Sequence, residues 1–226
     1  MSIATDLMMM YYAQNSKPVM PTNGLVLYVP LDKHTESAAT GQTLVYVGDD
    51  NYAQYATYKN VPCRILEDQK VSQIKIDYGS WLPAGNARRT MSFWYCRTSI
   101  TRGVTLANYG VYQDRQAWSC CEQTNGINLI LHNYDVNPYP LFIPASNSWC
   151  FVLYTFDGTC CRIYINGTQH GASISRPALN TATSDVSLMT SGNFINGFRM
   201  AGIRIYNRVL TAKEITTLAS EFTPTA

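Results

Sequence analysis

Residues 146–167, "SNSWCFVLYTFDGTCCRIYING", carry the reading that decides the fold. An apolar run from Trp149 to Phe156 meets Asp157-Gly158, a tight-turn pair. A second run, Cys160 to Ile165, meets Asn166-Gly167, another hairpin signal. Between the turns the side chains alternate. Cys161, Ile163 and Ile165 share one face, and Cys160, Arg162 and Tyr164 share the other, which is the period of a strand. The stretch predicts antiparallel strands joined by short turns.

The same pattern extends outward. In "GLVLYVPL" (24–31), Leu25, Leu27 and Val29 face one way, Val26 and Tyr28 the other. "QTLVYVG", "VSQIKIDYG", "TMSFWYCR", "INLILH" and "FRMAGIRIYN" read as further strands, with Phe93 and Tyr95 set against Trp94 and Cys96. The end is helical: Thr211 and Glu214 form a capping box, with Ile215 and Leu218 as its buried stripe. Strands separated by turns, without helical periods between them, predict an all-β, two-sheet antiparallel β-sandwich with a short C-terminal helix that covers a sheet edge or a sandwich end. Residues 1–22 read as an N-terminal arm and linker, with a short helix over 6–14 stopped by Pro18 and Pro21, and residues 23–226 as one domain.

Composition excludes several function classes. Of 226 residues, 46% are apolar, enough for a sizeable core, and 16 are tyrosines, which suit strands and contact surfaces. The net charge of +2 comes from scattered basic residues, so no phosphate-tracking stripe marks nucleic-acid binding. No apolar run is long enough for a membrane span. The opening "MSIATDLMMMYYAQNSKP" lacks a basic leader and is broken by Asp6, so no signal peptide is expected. The seven cysteines (63, 96, 120, 121, 150, 160 and 161) cannot all pair within one chain and form no CxxC; free thiols are expected, although the hairpin allows Cys150 to approach Cys160 or Cys161. His34, His132 and His170 show no ligand spacing.

The 146–167 stretch also resembles the central signature of concanavalin A-like, laminin G-type jelly rolls. Trp149, Thr155, Phe156, Asp157, Gly158, Tyr164, Asn166 and Gly167 match its order. "GIRIYNRVLTAKEI" is similar to the family's closing strand and helix, "GLVLYVPLD" to its first strand, and "TMSFWY" to its "SFW" strand. The resemblance covers about residues 24–219 and implies two antiparallel sheets packed face to face. The acidic pair that often precedes the closing strand is replaced by Ala201 and Gly202. Asp32, Asp49 and Asp50 could offer calcium some oxygens, yet the resemblance favours no cofactor here.

Relatives of this fold that cleave glycosidic bonds need two carboxylates facing one cleft. The five glutamates (36, 67, 122, 214 and 221) fit no such motif, so the chain is expected not to be an enzyme; an Asp114–Asp135 pair is the residual hydrolase reading. Binding remains. Sugar recognition uses aromatic faces and Asn, Asp, Gln or Arg. Two segments, 109–126 and 132–140, carry that mixture around the 127–131 strand. Trp118, Tyr112, Arg115, Asn133, Tyr134 and Asp135 are the candidate ligand contacts, with Trp81 on a third loop; the competing reading makes Trp118 and Tyr112 sheet core. Trp94 and Trp149 are assigned to the core. Asn166-Gly167-Thr168 reads as a turn more than a glycosylation site.

The expected function is a non-catalytic carbohydrate-binding or adhesion module. "MSIATDL" is similar to the starts of phage tail and virion proteins, which implies a virion location after assembly in the host-cell cytoplasm, a glycan or host-surface polysaccharide as ligand, and other structural proteins bound through residues 1–22. The alternative is a structural decoration protein with protein partners alone; a homo-oligomer is compatible with both.

Overall fold

The computed structural model describes residues 18–48, 53–66, 72–98, 103–137, 140–190 and 197–225. The helix read over 6–14, the candidate ligands Asp49 and Asp50, and Glu67 lie outside them. In chain order the strands are β1 (Leu25–Val29), β2 (Val45–Gly48), β3 (Ala53–Tyr58), β4 (Val61–Leu66), β5 (Ser72–Ile76), β6 (Arg89–Arg97), β7 (Val104–Gly110) and β8 (Ala117–Gln123). There follow β9 (Gly126–Ile130), β10 (Cys150–Phe156), β11 (Cys160–Ile165), β12 (Thr168–Gln169), β13 (Ile174–Ser175), β14 (Val186–Thr190), β15 (Phe198–Tyr206) and, among the described residues, one helix, α1 (Ala212–Ala219).

They form two antiparallel sheets. The larger runs β12-β11-β10-β6-β15-β4-β3, with β1 also on β15 and β13 also on β11. The smaller runs β2-β5-β14-β7-β8-β9. The two sheets close on one core, which takes Phe93 and Tyr95 from β6, Val152 and Tyr154 from β10, and Trp118, Cys120, Ile127 and Leu129 from β8 and β9. The β-sandwich is therefore as expected, and so is the 159–167 stretch. Cys161, Ile163 and Ile165 enter the core, and Asn166 (φ 50°) and Gly167 (φ 84°) make the mirror-image turn that suits a twisted hairpin.

The larger sheet is buried on its outer face as well. Trp94, Phe151, Leu153 and Tyr206 there meet Ile215 and Leu218 of α1, so the helix covers a sheet face, not an edge or an end. Burying each of these two side chains contributes about 1.5–3 kcal/mol. The capping box forms as read: Glu214 N–H donates to Thr211 Oγ1 (3.3 Å) and Thr211 N–H to the Glu214 carboxylate (2.8 Å). Arg208 adds two hydrogen bonds to that carboxylate, at 2.9 and 2.5 Å. Met20 packs against this outer cluster, and Tyr206 Oη donates to the Pro21 carbonyl.

Three local expectations are corrected. Leu25 does not share the face of Leu27 and Val29; a bulge between Leu25 and Leu27 turns it to the outer cluster. Trp149 is half-buried at the edge of that cluster, its indole N–H bonded to the Tyr58 carbonyl (2.9 Å), in place of the expected core position. Cys150 sits opposite Tyr95, while Cys161 faces Phe156 at the far end of β10, so the two thiols do not meet. All seven cysteines are free thiols, and only Cys160 is more than slightly exposed. Gly202 (φ 59°) marks a second bulge, between Ala201 and Arg204, near which β15 changes partner from β4 to β1.

Candidate functional site

The outer face of the smaller sheet carries the one place where the expected ligand contacts gather. Along β8, Trp118 and Cys120 point into the core, so Ser119 and Cys121 point outward. Thr105 of β7 pairs with Cys121, and their side chains meet at 3.6 Å. With Gln123 and Ile130 they floor a hollow of about 330 Å³ walled by Tyr112 and Asp135. Tyr112 is 54% exposed, and its hydroxyl lies 3.0 Å from Ser119 Oγ. That bond fixes the ring while leaving much of its surface to solvent.

The two loops that supply the walls are tied together. Arg115 N–H donates to the His132 carbonyl (3.0 Å), and the rings of Tyr112 and His132 meet edge-on at 6.3 Å. Asp135 accepts from Leu131 N–H (2.8 Å), closing the 131–135 turn. Arg176 donates to the carbonyls of Tyr134 and Asp135, and its guanidinium lies 4.8 Å from the Tyr134 ring centre, with that of Arg115 at 5.0 Å. Arg115, His132 and Asn133 all have positive φ, near 60°, a conformation that costs non-glycine residues free energy and here persists in a bonded loop pair.

The structure thus brings together Tyr112, Arg115, Asn133, Tyr134 and Asp135. It removes Trp118, which is 0% exposed and lies against Arg89 (5.2 Å to the guanidinium) and Phe156 (6.4 Å). A strand residue on the core face cannot touch a ligand on the outer face. Trp81 is half-buried and packs on the core, its indole against Gly79, where any Cβ would clash. Sequence reasoning missed Thr105, Ser119, Cys121 and Ile130. The alternation of "WSCCEQ" before the Asn125-Gly126 turn held that signal.

The two carboxylates that line the hollow, Glu122 and Asp135, are both hydrogen-bonded, Asp135 by Leu131 N–H. Glu122 is buried; Tyr95 donates to one oxygen and Arg97 to the other at 3.1 Å. Burial pushes its carboxyl up, against the pull of these two partners. Cys121 is likewise pushed up by burial, which keeps it a thiol, despite hydrogen bonds from Ser119 and Thr105. Asp114 is exposed and pairs with Arg115 at 3.3 Å. Among the described residues no group of three His, Cys, Asp or Glu side chains could hold a metal ion, and no helix is long and apolar enough to cross a membrane.

A family model described as the concanavalin A-like lectin/glucanases superfamily, of laminin G type, matches residues 68–216. The chain belongs to this superfamily. No curated protein sequence matches it. Among solved structures, this superfamily member is similar to domain 4 of AbnA, an extracellular arabinanase of Geobacillus stearothermophilus, in complex with arabinotriose. The TM-score is 0.70 and the identity 19%, over 88% of this chain and all of that domain. It is also similar to the binding domain of botulinum neurotoxin serotype D (TM-score 0.68, 17% identity, 87% of this chain) and to that toxin's ligand-binding domain in complex with N-acetylneuraminic acid (0.67, 16%, 87%). The chain spans about half the length of these toxin domains. At such identities the likeness is one of fold.

Proposed function

We propose that this domain binds carbohydrate without cleaving it, at the hollow on the outer face of β7, β8 and β9. The observation that carries the reading is Tyr112: a large aromatic ring, more than half exposed, pinned by Ser119 at the rim of a hollow whose other wall is Asp135. A ring face takes the apolar side of a sugar, and Asp135, Gln123 and Thr105 offer hydroxyl partners. Arg115, Asn133 and Tyr134 extend the polar rim. The sugar complexes of two proteins of similar fold support this ligand class. A non-catalytic role is supported by the carboxylates of the lining. Glu122 is held by Tyr95 and Arg97, and Asp135 accepts from Leu131 N–H, so neither stands as the unpartnered acid or base that glycoside hydrolysis needs.

We place the domain on a phage or prophage surface structure, with residues 1–22 contacting other structural proteins; the motive is the sequence start. A second reading, a decoration protein with protein partners, is favoured by Val45 and Val47, exposed on the edge strand β2. A glycan array with the wild type and with Tyr112→Ala separates them. Retention of a glycan by the wild type, weakened by roughly 5–30-fold in the variant, is expected of about 1–2 kcal/mol of stacking. An array on which nothing is retained favours the protein-only reading.

A further inference from the structure

A second hollow, of about 390 Å³, opens on the opposite side of the sandwich, where the chain's last residues cross the outer face of the larger sheet. Its wall is fixed at two points: Glu221 takes two hydrogen bonds from buried Arg204 (2.7 and 2.5 Å), and Thr225 N–H donates to the Lys59 carbonyl (3.2 Å). Trp149 and Phe222 supply flat aromatic surface, and Ser148, Asn166 and Thr223 supply polar groups. Trp94 lines the same hollow and is 4% exposed, yet its indole N–H has no acceptor. A buried donor without a partner is costly and marks a place where an acceptor is wanted. Phe222, which lines the same hollow, meets the Trp94 indole edge-on, ring centres 5.7 Å apart.

Charge separates the two hollows. The first has Glu122 and Asp135 in its lining and no described basic residue. The second has Lys59 and no described carboxylate; Lys59 enters no ion pair among the described residues, and its ammonium lies over the Tyr58 ring, 5.8 Å from its centre. A site with an ammonium that has no described carboxylate partner, a spare indole N–H and aromatic walls is matched by a ligand with a carboxylate, further acceptors and one apolar face. We propose that this hollow binds a sugar ring bearing a carboxylate, with Lys59 facing the carboxylate, Trp149 and Phe222 against the ring, and the Trp94 N–H taking an oxygen. The site is separate from the one on the smaller sheet and does not depend on it.

The four tryptophans each give one indole N–H resonance in a ¹⁵N-labelled sample. Galacturonate, glucuronate and N-acetylneuraminate, each beside its methyl ester, are titrated to millimolar concentration. The expected result is that at least one acid moves the Trp94 and Trp149 signals and leaves Trp118 in place. Its ester should bind about five-fold more weakly, the scale of a partly exposed ion pair. Lys59→Gln should erase the difference, and Tyr112→Ala should leave the shifts intact. No movement of Trp94 and Trp149 with any acid, equal binding of acid and ester, or a preference that survives Lys59→Gln would each overturn the proposal.

Discussion

Replacing Trp118 discriminates between its two roles, sugar platform and core filler. Its side chain is 0% exposed, and removing a fully buried tryptophan costs about 3–5 kcal/mol. Arg89, itself buried, would lose the ring beneath its guanidinium while keeping its bonds to Tyr109 Oη (3.0 Å), Gly85 O (2.7 Å) and Ala87 O (2.9 Å). That places Trp118→Ala in the upper part of the range, about 4–5 kcal/mol. Against a total of about 5–15 kcal/mol, this is a quarter or more of the stability. For a domain of this size the melting point should drop by roughly 8–20 °C. Urea titration followed by far-ultraviolet circular dichroism reads the loss as a lower midpoint at unchanged slope. Trp118→Phe keeps an aromatic core, should cost only about 1–2 kcal/mol, and should leave glycan retention unchanged. A loss below about 1 kcal/mol for the alanine variant, or a folded phenylalanine variant that no longer retains glycan, would refute the core assignment.

Other outcomes follow from single contacts. Gly202→Ala should cost about 1–2 kcal/mol by urea titration, because φ is 59° there and the new methyl lies 3.2 Å from both Arg204 Nη1 and Glu221 Oε2; an unchanged midpoint would contradict the bulge. Thr211→Ala should cost about 1 kcal/mol, the usual worth of an N-cap. Hydrogen bonds from Arg208 outweigh burial and, with those of Thr211, hold the Glu214 carboxyl at about 2, below its ordinary 4.5. A lowered folded value means stability is complete above the ordinary range and is lost as pH falls from about 4.5 toward 2, so the acid limb of a midpoint-against-pH curve should flatten in Glu214→Gln. In the native protein a thiol reagent should modify Cys160 first; Cys63, raised to about 11 by burial, and Cys161, raised to about 12 by burial, should react only on unfolding. Fast native labelling of Cys161 would contradict its core position.

The fold was legible because alternation and turn chemistry agree along 146–167, and because the Thr211–Glu214 box closes the chain. What escaped was whatever depends on a partner strand. Leu25 follows its neighbours in pattern, but a bulge against β15 rotates it away. Trp149 sits where an apolar strand begins, yet only the packing of residues 219–225 shows that one side of it stays open. At the site, the loops at 112–115 and 132–135 were readable from composition. Their meeting was not, because it rests on backbone bonds such as Arg115 to His132 that any residue could make. Trp118 stood both as a ligand contact and as sheet core; along β8 Trp118 and Cys120 alternate with Ser119 and Cys121, which gives the core reading.

The claim that sugar is held on the outer face of the smaller sheet is tested most directly by mapping amide and side-chain shifts in a ¹⁵N,¹³C-labelled sample as the best array ligand is added. The account expects the largest changes at Tyr112, Ser119, Cys121, Ile130 and the 132–135 turn. Changes confined to other surfaces, with these residues still, would contradict it.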